Sequence, residues 1–203
     1  NAPSESRIHV DFGTSMRMLS RPSVVYTTFV GAIGVFTFQS FASFFPTFMI
    51  EYRGLSPAAS GVAFGIVFFL TAVFQPIMGR VSDVLNRDAA LSLSLLLAAI
   101  GFGVLIGIAW TGIVIVGVGL LGMGITWAGV VQARYMDNLS AKEQETGYGM
   151  VRTVFMMLGS IGNVVTGVLA DFWGWPAAYG FVVGLLSLAL LAILVNSVFR
   201  LSL

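Results

Sequence analysis

Between Pro22 and Phe199 the chain falls into six apolar runs, and most of its charged residues stand in the breaks between them. A helix needs about 20 apolar residues to cross a hydrocarbon core roughly 30 Å thick. The runs cover residues 22–50, 57–78, 89–109, 112–136, 146–170 and 177–199. Backbone amides find no water in lipid, so such a run closes its hydrogen bonds internally as a helix. This predicts an all-α membrane protein, a six-transmembrane-helix bundle. The first run has 29 residues, about 43 Å as a helix, so it must tilt, bend or protrude. Pro46, near its far end, is a place for a bend.

Composition supports the membrane reading. Charged residues are 9% of the chain, against about a quarter in soluble domains, and the mean hydropathy is +0.94. The 24 Gly and 17 Phe supply small and aromatic residues for helix packing and interface anchoring. There is no Cys, so disulfides and thiolate chemistry are excluded. A formal charge of +1 gives no basis for a nucleic-acid partner. Residues 1–21 are polar and lack the apolar centre of a signal peptide, so they read as a cytoplasmic tail or linker before a membrane domain at 22–203. The chain does not begin with Met, which reads as an excised segment or a trimmed product.

Basic residues set the direction. Arg7, Arg17, Arg21, Arg80, Arg87, Arg134, Lys142 and Arg200 all fall on one side of the six runs. The other side has Arg53, and Arg152 lies inside a run. The positive-inside rule then places both termini in the cytoplasm, as in a multi-pass protein of the plasma membrane.

The second and fifth runs match at an offset of 88 residues: Gly61 with Gly149, Gln75 with Asn163, Gly79 with Gly167 and Asp83 with Asp171. The two runs point in opposite directions, so the match implies a 3+3 inverted repeat, a transporter feature. Coincidence in a Gly-rich chain is the competing account.

The stretch GRVSDVLNRD, residues 79–88, resembles the loop signature of the major facilitator superfamily (MFS) between the second and third helices of a six-helix half. Gly79, Val81, Ser82, Asp83 and Arg87 fit the pattern, whereas Val84, Asn86 and Asp88 depart from it. The stretch MMLGSIGNVVTGVLADFWGWPAAYGF is similar to that family's Gly-rich fifth helix with its short Gly-Trp turn. The resemblance implies half of a twelve-helix secondary transporter, the C-terminal half by its degraded signature and polar lead-in, with an N-terminal half as the alternative. The partners implied are a small-molecule solute, the lipid bilayer and the missing N-terminal six-helix half of the same protein. It also implies that Gly79, Asp83 and Arg87 form a cytoplasmic gating loop, with Asp83 docking on the absent half and Arg87 pairing with Asp137. The plainer account is a solvated turn whose charges only set topology.

By the same resemblance the first and fourth runs line a central cavity. Candidates there are Gln39 and Ser43 in the first run, with Thr37 and Ser40 beside them among many Phe, and Trp127 and Gln132 in the fourth. A carboxamide in mid-membrane must find a partner, which is a helix–helix contact if not a solute. The Phe set reads as packing or lipid-facing surface. Arg152 either snorkels and pairs with Asp137 or Glu145, or binds an anionic solute. Asn163 shares a small-residue face with Gly159 and Gly167, a packing pattern, and Gly61/Gly65, Gly103/Gly107 and Gly180/Gly184 read as helix-contact signals. No acidic residue lies in mid-membrane, and the one His, His9, is in the tail. With no cofactor motif, metal-spaced cluster or catalytic constellation, the sequence reads as a transporter rather than an enzyme. The competing function is a non-transporting six-helix membrane scaffold or assembly protein.

Overall fold

Pro22 opens a helix at a position whose N–H would have no partner in any case, and the computed structural model carries it to Glu51 as α1, Pro22–Glu51. The structure describes residues 20–110, 112–140, 143–144 and 148–199. Then follow α2 Pro57–Val84, α3 Arg87–Gly107, α4 Ile113–Gly124, α5 Trp127–Asn138, α6 Tyr148–Ser160 and α7 Gly162–Phe199. Two starts are capped by side chains: Ser56 Oγ accepts from the Ala59 N–H at 3.2 Å, and Asn86 Oδ1 from that of Ala89 at 2.7 Å. Each satisfies a donor that the helix itself leaves without a partner.

Five stretches are long and apolar enough to cross a membrane: α1, α2, α3, Ile113–Asn138 and Tyr148–Phe199. The last has 52 residues, about 78 Å if it were straight. It is not straight. Gly159 lies against Val35, Gly162 against Phe36 and Gly167 against Phe44, so the chain first runs parallel to α1. At Gly174 φ is 81° and ψ 170°, a conformation open to glycine and strained for other residues. Beyond it Phe181 meets Phe36, and Asn196 reaches Asp88 at the start of α3. The geometry thus divides this stretch into two antiparallel passes, with Gly174 and Trp175 at the reversal.

Helix boundaries depart from the apolar runs in three places. α2 continues past residue 78 to Val84, because no residue from Gly79 to Asp83 breaks a helix. The connection that the sequence placed at residues 79–88 is therefore reduced to Leu85–Asn86. The run 112–136 is interrupted at Ile125–Thr126, where Thr126 Oγ1 donates to the Met123 carbonyl at 2.7 Å. The run 146–170 is broken at Ile161, between α6 and α7.

The core is built on α1. Phe41, Phe45, Phe48 and Met49 are fully buried, so this part of the Phe set is packing rather than lipid-facing surface. Phe48 meets Tyr179 edge-on with centroids 4.8 Å apart, and Tyr179 stacks on Phe102 at 4.8 Å. That contact ties α1, α3 and the last pass of α7 together. Glycine sets the closest approach between α3 and α4: a Cβ at Gly124 would sit 2.3 Å from the Ala98 nitrogen. The three Gly-x-x-x-Gly pairs do not act this way. Gly61, Gly65, Gly103, Gly107, Gly180 and Gly184 have nothing within 4 Å of a built Cβ. Their spacing does place each pair on one face, but that face is not packed against any helix described here.

The two ends of the bundle are tied differently. At the Glu51 end Arg53 donates to the carbonyls of Leu105, Ile108 and Trp110 at 3.2, 2.7 and 3.2 Å. Those include carbonyls that α3 cannot satisfy internally. Trp175 Nε1 donates to Glu51 Oε2 at 3.0 Å. The opposite, arginine-rich end is held by ion pairs.

Candidate functional site

Trp127 starts α5 immediately after the break at Ile125–Thr126, and that break sets its indole against α1. A Cβ built at Gly34 would lie 2.5 Å from Trp127 Cδ2, so the ring occupies the space a side chain at Gly34 would need. The indole forms part of the wall of a recess of about 520 Å³. Phe38 and Gln39 of α1, Phe68, Thr71 and Gln75 of α2, Ala128 of α5, and Met156 and Ser160 of α6 complete most of the lining. Thr71 Oγ1 lies 2.9 Å from the Val67 carbonyl and 3.0 Å from that of Gly122, which fixes its rotamer. Trp127 Nε1 is buried with no hydrogen-bond partner among the described residues. None of the lining side chains is charged.

The recess opens on a side that no described helix covers, since Gln75, Ala128, Gly129 and Ser160 are exposed. Residues four apart on a helix share a face. Gln132 therefore follows Ala128 on α5, and Arg152 precedes Met156 and Ser160 on α6, each one turn or two nearer the arginine-rich end. Ser43 follows Gln39 on α1 by one turn toward the Glu51 end. Of the residues expected at a central cavity, Gln39 and Trp127 border this recess, whereas Ser43, Gln132 and Arg152 are exposed and stand outside its lining. Gln75 enters the lining, although its sequence singled it out only as a repeat match. Thr71, Met156 and Ser160 were missed, for nothing in an apolar run marks which hydroxyl or thioether faces a hollow.

Arg152 does not pair with Asp137, which is taken by Arg87, and Glu145 lies outside the described residues. Asn163 keeps company with packing glycines as expected, yet its Oδ1 is buried without a described partner. The tail to Leu19, with His9, Arg7 and Arg17, is outside the described residues, as are Lys142 and Arg200.

At the arginine-rich end two clusters bind the helices. Arg87 Nε donates to Asp137 Oδ2 at 2.7 Å, and its Nη1 donates to Asp83 Oδ1 at 2.5 Å and Ser82 Oγ at 2.9 Å. This joins the end of α2, the start of α3 and the end of α5. Gly79 is one turn back inside α2, with nothing within 4 Å of a built Cβ. The second cluster was not foreseen. Arg134, counted from sequence among the basic residues on one side of the runs, is buried and pairs with Asp88. Its Nε donates to Thr27 Oγ1 at 3.1 Å, its guanidinium stands 4.9 Å from the Tyr26 ring centre, and Asn196 Nδ2 donates to Asp88 Oδ2 at 3.1 Å. Four helices meet there: α1, α3, α5 and α7. A third link runs from Arg21 to Glu143 at 2.5 Å. Arg21 first, then the Ser140 N–H and hydroxyl, pull the Glu143 carboxyl down to about 2.

Bilayer-length helices around a Phe-rich core, with a mainly apolar recess on an uncovered face, describe a multi-pass helical membrane protein. The chain belongs to the Major Facilitator Superfamily, whose family profile matches residues 27–201. It is 27% identical over 164 residues to the multidrug resistance protein fnx1 of Schizosaccharomyces pombe, covering 74% of this chain and 29% of that protein. Its fold is similar to the crystal structure of the POT family transporter PepTSo, with a TM-score of 0.73 at 15% identity, over 86% of this chain and 37% of that one. The chain thus spans about a third of the length of the proteins it matches.

Proposed function

We propose that this chain is one half of a secondary transporter that carries a small organic solute across the plasma membrane by alternating access. The recess between α1, α2, α5 and α6 is its share of the solute pathway. One observation carries the reading: Gln39, Gln75, Gln132, Arg152 and Ser160 gather on the face that holds the recess. Polar and charged groups at membrane depth face a water-filled cavity or another protein element rather than lipid. The relatives' greater length supplies what would cover this face, a second six-helix half, here the N-terminal one. The arginine-rich end then lies in the cytoplasm with both termini. A negatively charged group on the solute would meet Arg152 at the mouth, with the aromatic and carboxamide wall of the recess around its remainder. The Asp83–Arg87–Asp137 cluster serves as the gate at that end.

Single cysteines test this directly, because the chain has none of its own. In the complete protein, cleared of cysteines elsewhere, Gln39, Gln75 and Ser160 are replaced by Cys one at a time and exposed to a membrane-impermeant methanethiosulfonate. Rapid modification at all three, with Leu188→Cys on the aliphatic flank staying slow, is the expected result. If the recess positions react no faster than Leu188→Cys, the face is dry and the scaffold reading takes over.

A further inference from the structure

A second hollow, of about 560 Å³, lies between the start of α3 and the last pass of α7, away from the recess. Its walls are antiparallel, so Asn86 and Asp88 of α3 meet Ser197 of α7 at one end. Deeper in, past Ser92, the lining becomes mainly aliphatic, with Leu96, Leu191 and Leu194. Ser187, also deep, donates its hydroxyl to the Val183 carbonyl at 2.8 Å and so makes no demand on an occupant. Beside the hollow the exposed side chains are aliphatic: Leu93 and Ile100 on α3, Leu188 and Val195 on α7. Such a flank suits contact with hydrocarbon.

Size and polarity select the occupant. From Asn86 to Leu96 is ten residues, about 15 Å of helix, which is half of a hydrocarbon core roughly 30 Å thick. The slot is therefore one leaflet deep, polar at the interface and aliphatic toward the midplane. We propose that it binds a phospholipid of the leaflet on the arginine-rich side. One acyl chain lies along Leu96, Leu191 and Leu194, and the headgroup sits at Asn86, Asp88 and Ser197.

The headgroup decides the selectivity. Moving a chain from neighbouring lipid into an aliphatic slot gains little, since lipid tails are as apolar as leucine. Among the described lining residues the charged group is the Asp88 carboxylate, which receives Arg134 on one oxygen and Asn196 on the other. A carboxylate oxygen has a second lone-pair site, so it accepts a further donor. A primary ammonium headgroup donates hydrogen bonds there; a trimethylated one donates none.

The test is native mass spectrometry of the complete transporter, delipidated and then titrated with phosphatidylethanolamine or phosphatidylcholine of equal chain length. The expected result is a phosphatidylethanolamine adduct at least fivefold more abundant than the phosphatidylcholine one. Leu191→Trp, which fills the slot, and Ser197→Val, at its mouth, should each reduce that adduct at least threefold; both leave Arg134 and Asp88 untouched. Equal binding of the two lipids, or adducts unaffected by both variants, overturns the proposal. So does efficient cross-linking of Leu191→Cys between two copies in native membranes, which would mean that protein covers the slot.

Discussion

Gly34 and Trp127 occupy one site between them: the indole of α5 lies where a side chain on α1 would stand, 2.5 Å from a built Cβ. Overfilling a packed contact costs about 1–3 kcal/mol, and here relief comes from moving a wall of the recess. Gly34→Ala should therefore reduce transport by the complete protein at least fivefold while expression is retained. Gly34→Ala combined with Trp127→Phe should recover part of it, as solute uptake at matched expression will show.

Arg134 and Asp88 are expected to depend on each other. Removing one partner of a buried ion pair costs about 3–5 kcal/mol, whereas replacing both by apolar groups of similar volume is close to neutral. Arg134→Met should lower the melting temperature in detergent strongly, and Arg134→Met with Asp88→Leu should lower it less. Equal losses in the single and double variants would show that the pair itself is not what matters.

At Asp83 rate and stability should separate. Its side chain is 68% exposed, and its bond to Arg87 is an i,i+4 pair; such surface pairs contribute about 0–1 kcal/mol. Asp83→Asn should leave membrane insertion and melting temperature unchanged and slow transport several-fold if the cluster gates the pathway. Unchanged uptake would reduce these charges to a topology signal.

The Arg21–Glu143 link predicts a pH window. Glu143 has a folded-state value of about 2 against an ordinary 4.5. A depressed carboxylate contributes stability that is fully present above the ordinary value and is lost as pH falls through the folded one. The difference in melting temperature between the parent protein and Glu143→Gln should be constant at pH 5–7 and shrink between pH 4.5 and pH 2. A difference that grows on acidification would contradict the assignment.

Two glycines should respond in opposite ways. Gly180 has nothing within 4 Å of a built Cβ, so Gly180→Ala should be neutral or raise stability by up to about 1 kcal/mol through helix propensity. Gly124→Ala would force α3 and α4 apart, because its Cβ would meet the Ala98 backbone at 2.3 Å. Circular dichroism melts of the two variants in one detergent compare them.

The long helices were legible because lipid makes one simple demand on a sequence, and the Gly174–Trp175 reversal was legible through the resemblance of its Gly-Trp turn to the family pattern. Gln39 and Trp127, singled out as too polar or too deep for their setting, both border the recess. The burial of Arg134 was not legible, for a physical reason. Near the end of a run a basic residue looks the same whether it reaches water or turns inward, and the choice is made by Asp88, Thr27 and Asn196 on three other helices. The Gly-x-x-x-Gly pairs failed similarly, since spacing gives a face and not its neighbour. Only the packed arrangement shows that Gly34, outside any motif, touches Trp127.

The contrast between the two ends has a consequence for how the bundle meets its surroundings. At the Glu51 end Arg53 rests on three backbone carbonyls, which carry no net charge to be screened or displaced. At the other end Arg21, Arg87 and their carboxylate partners are partly exposed, and counterions weaken such contacts over a Debye length of about 8 Å at physiological ionic strength. Salt, or the charge of the adjoining membrane surface, therefore acts most on the arginine-rich rim. The fold converts a uniform change in ionic environment into an uneven loosening, as though the bundle were hinged at its Glu51 end.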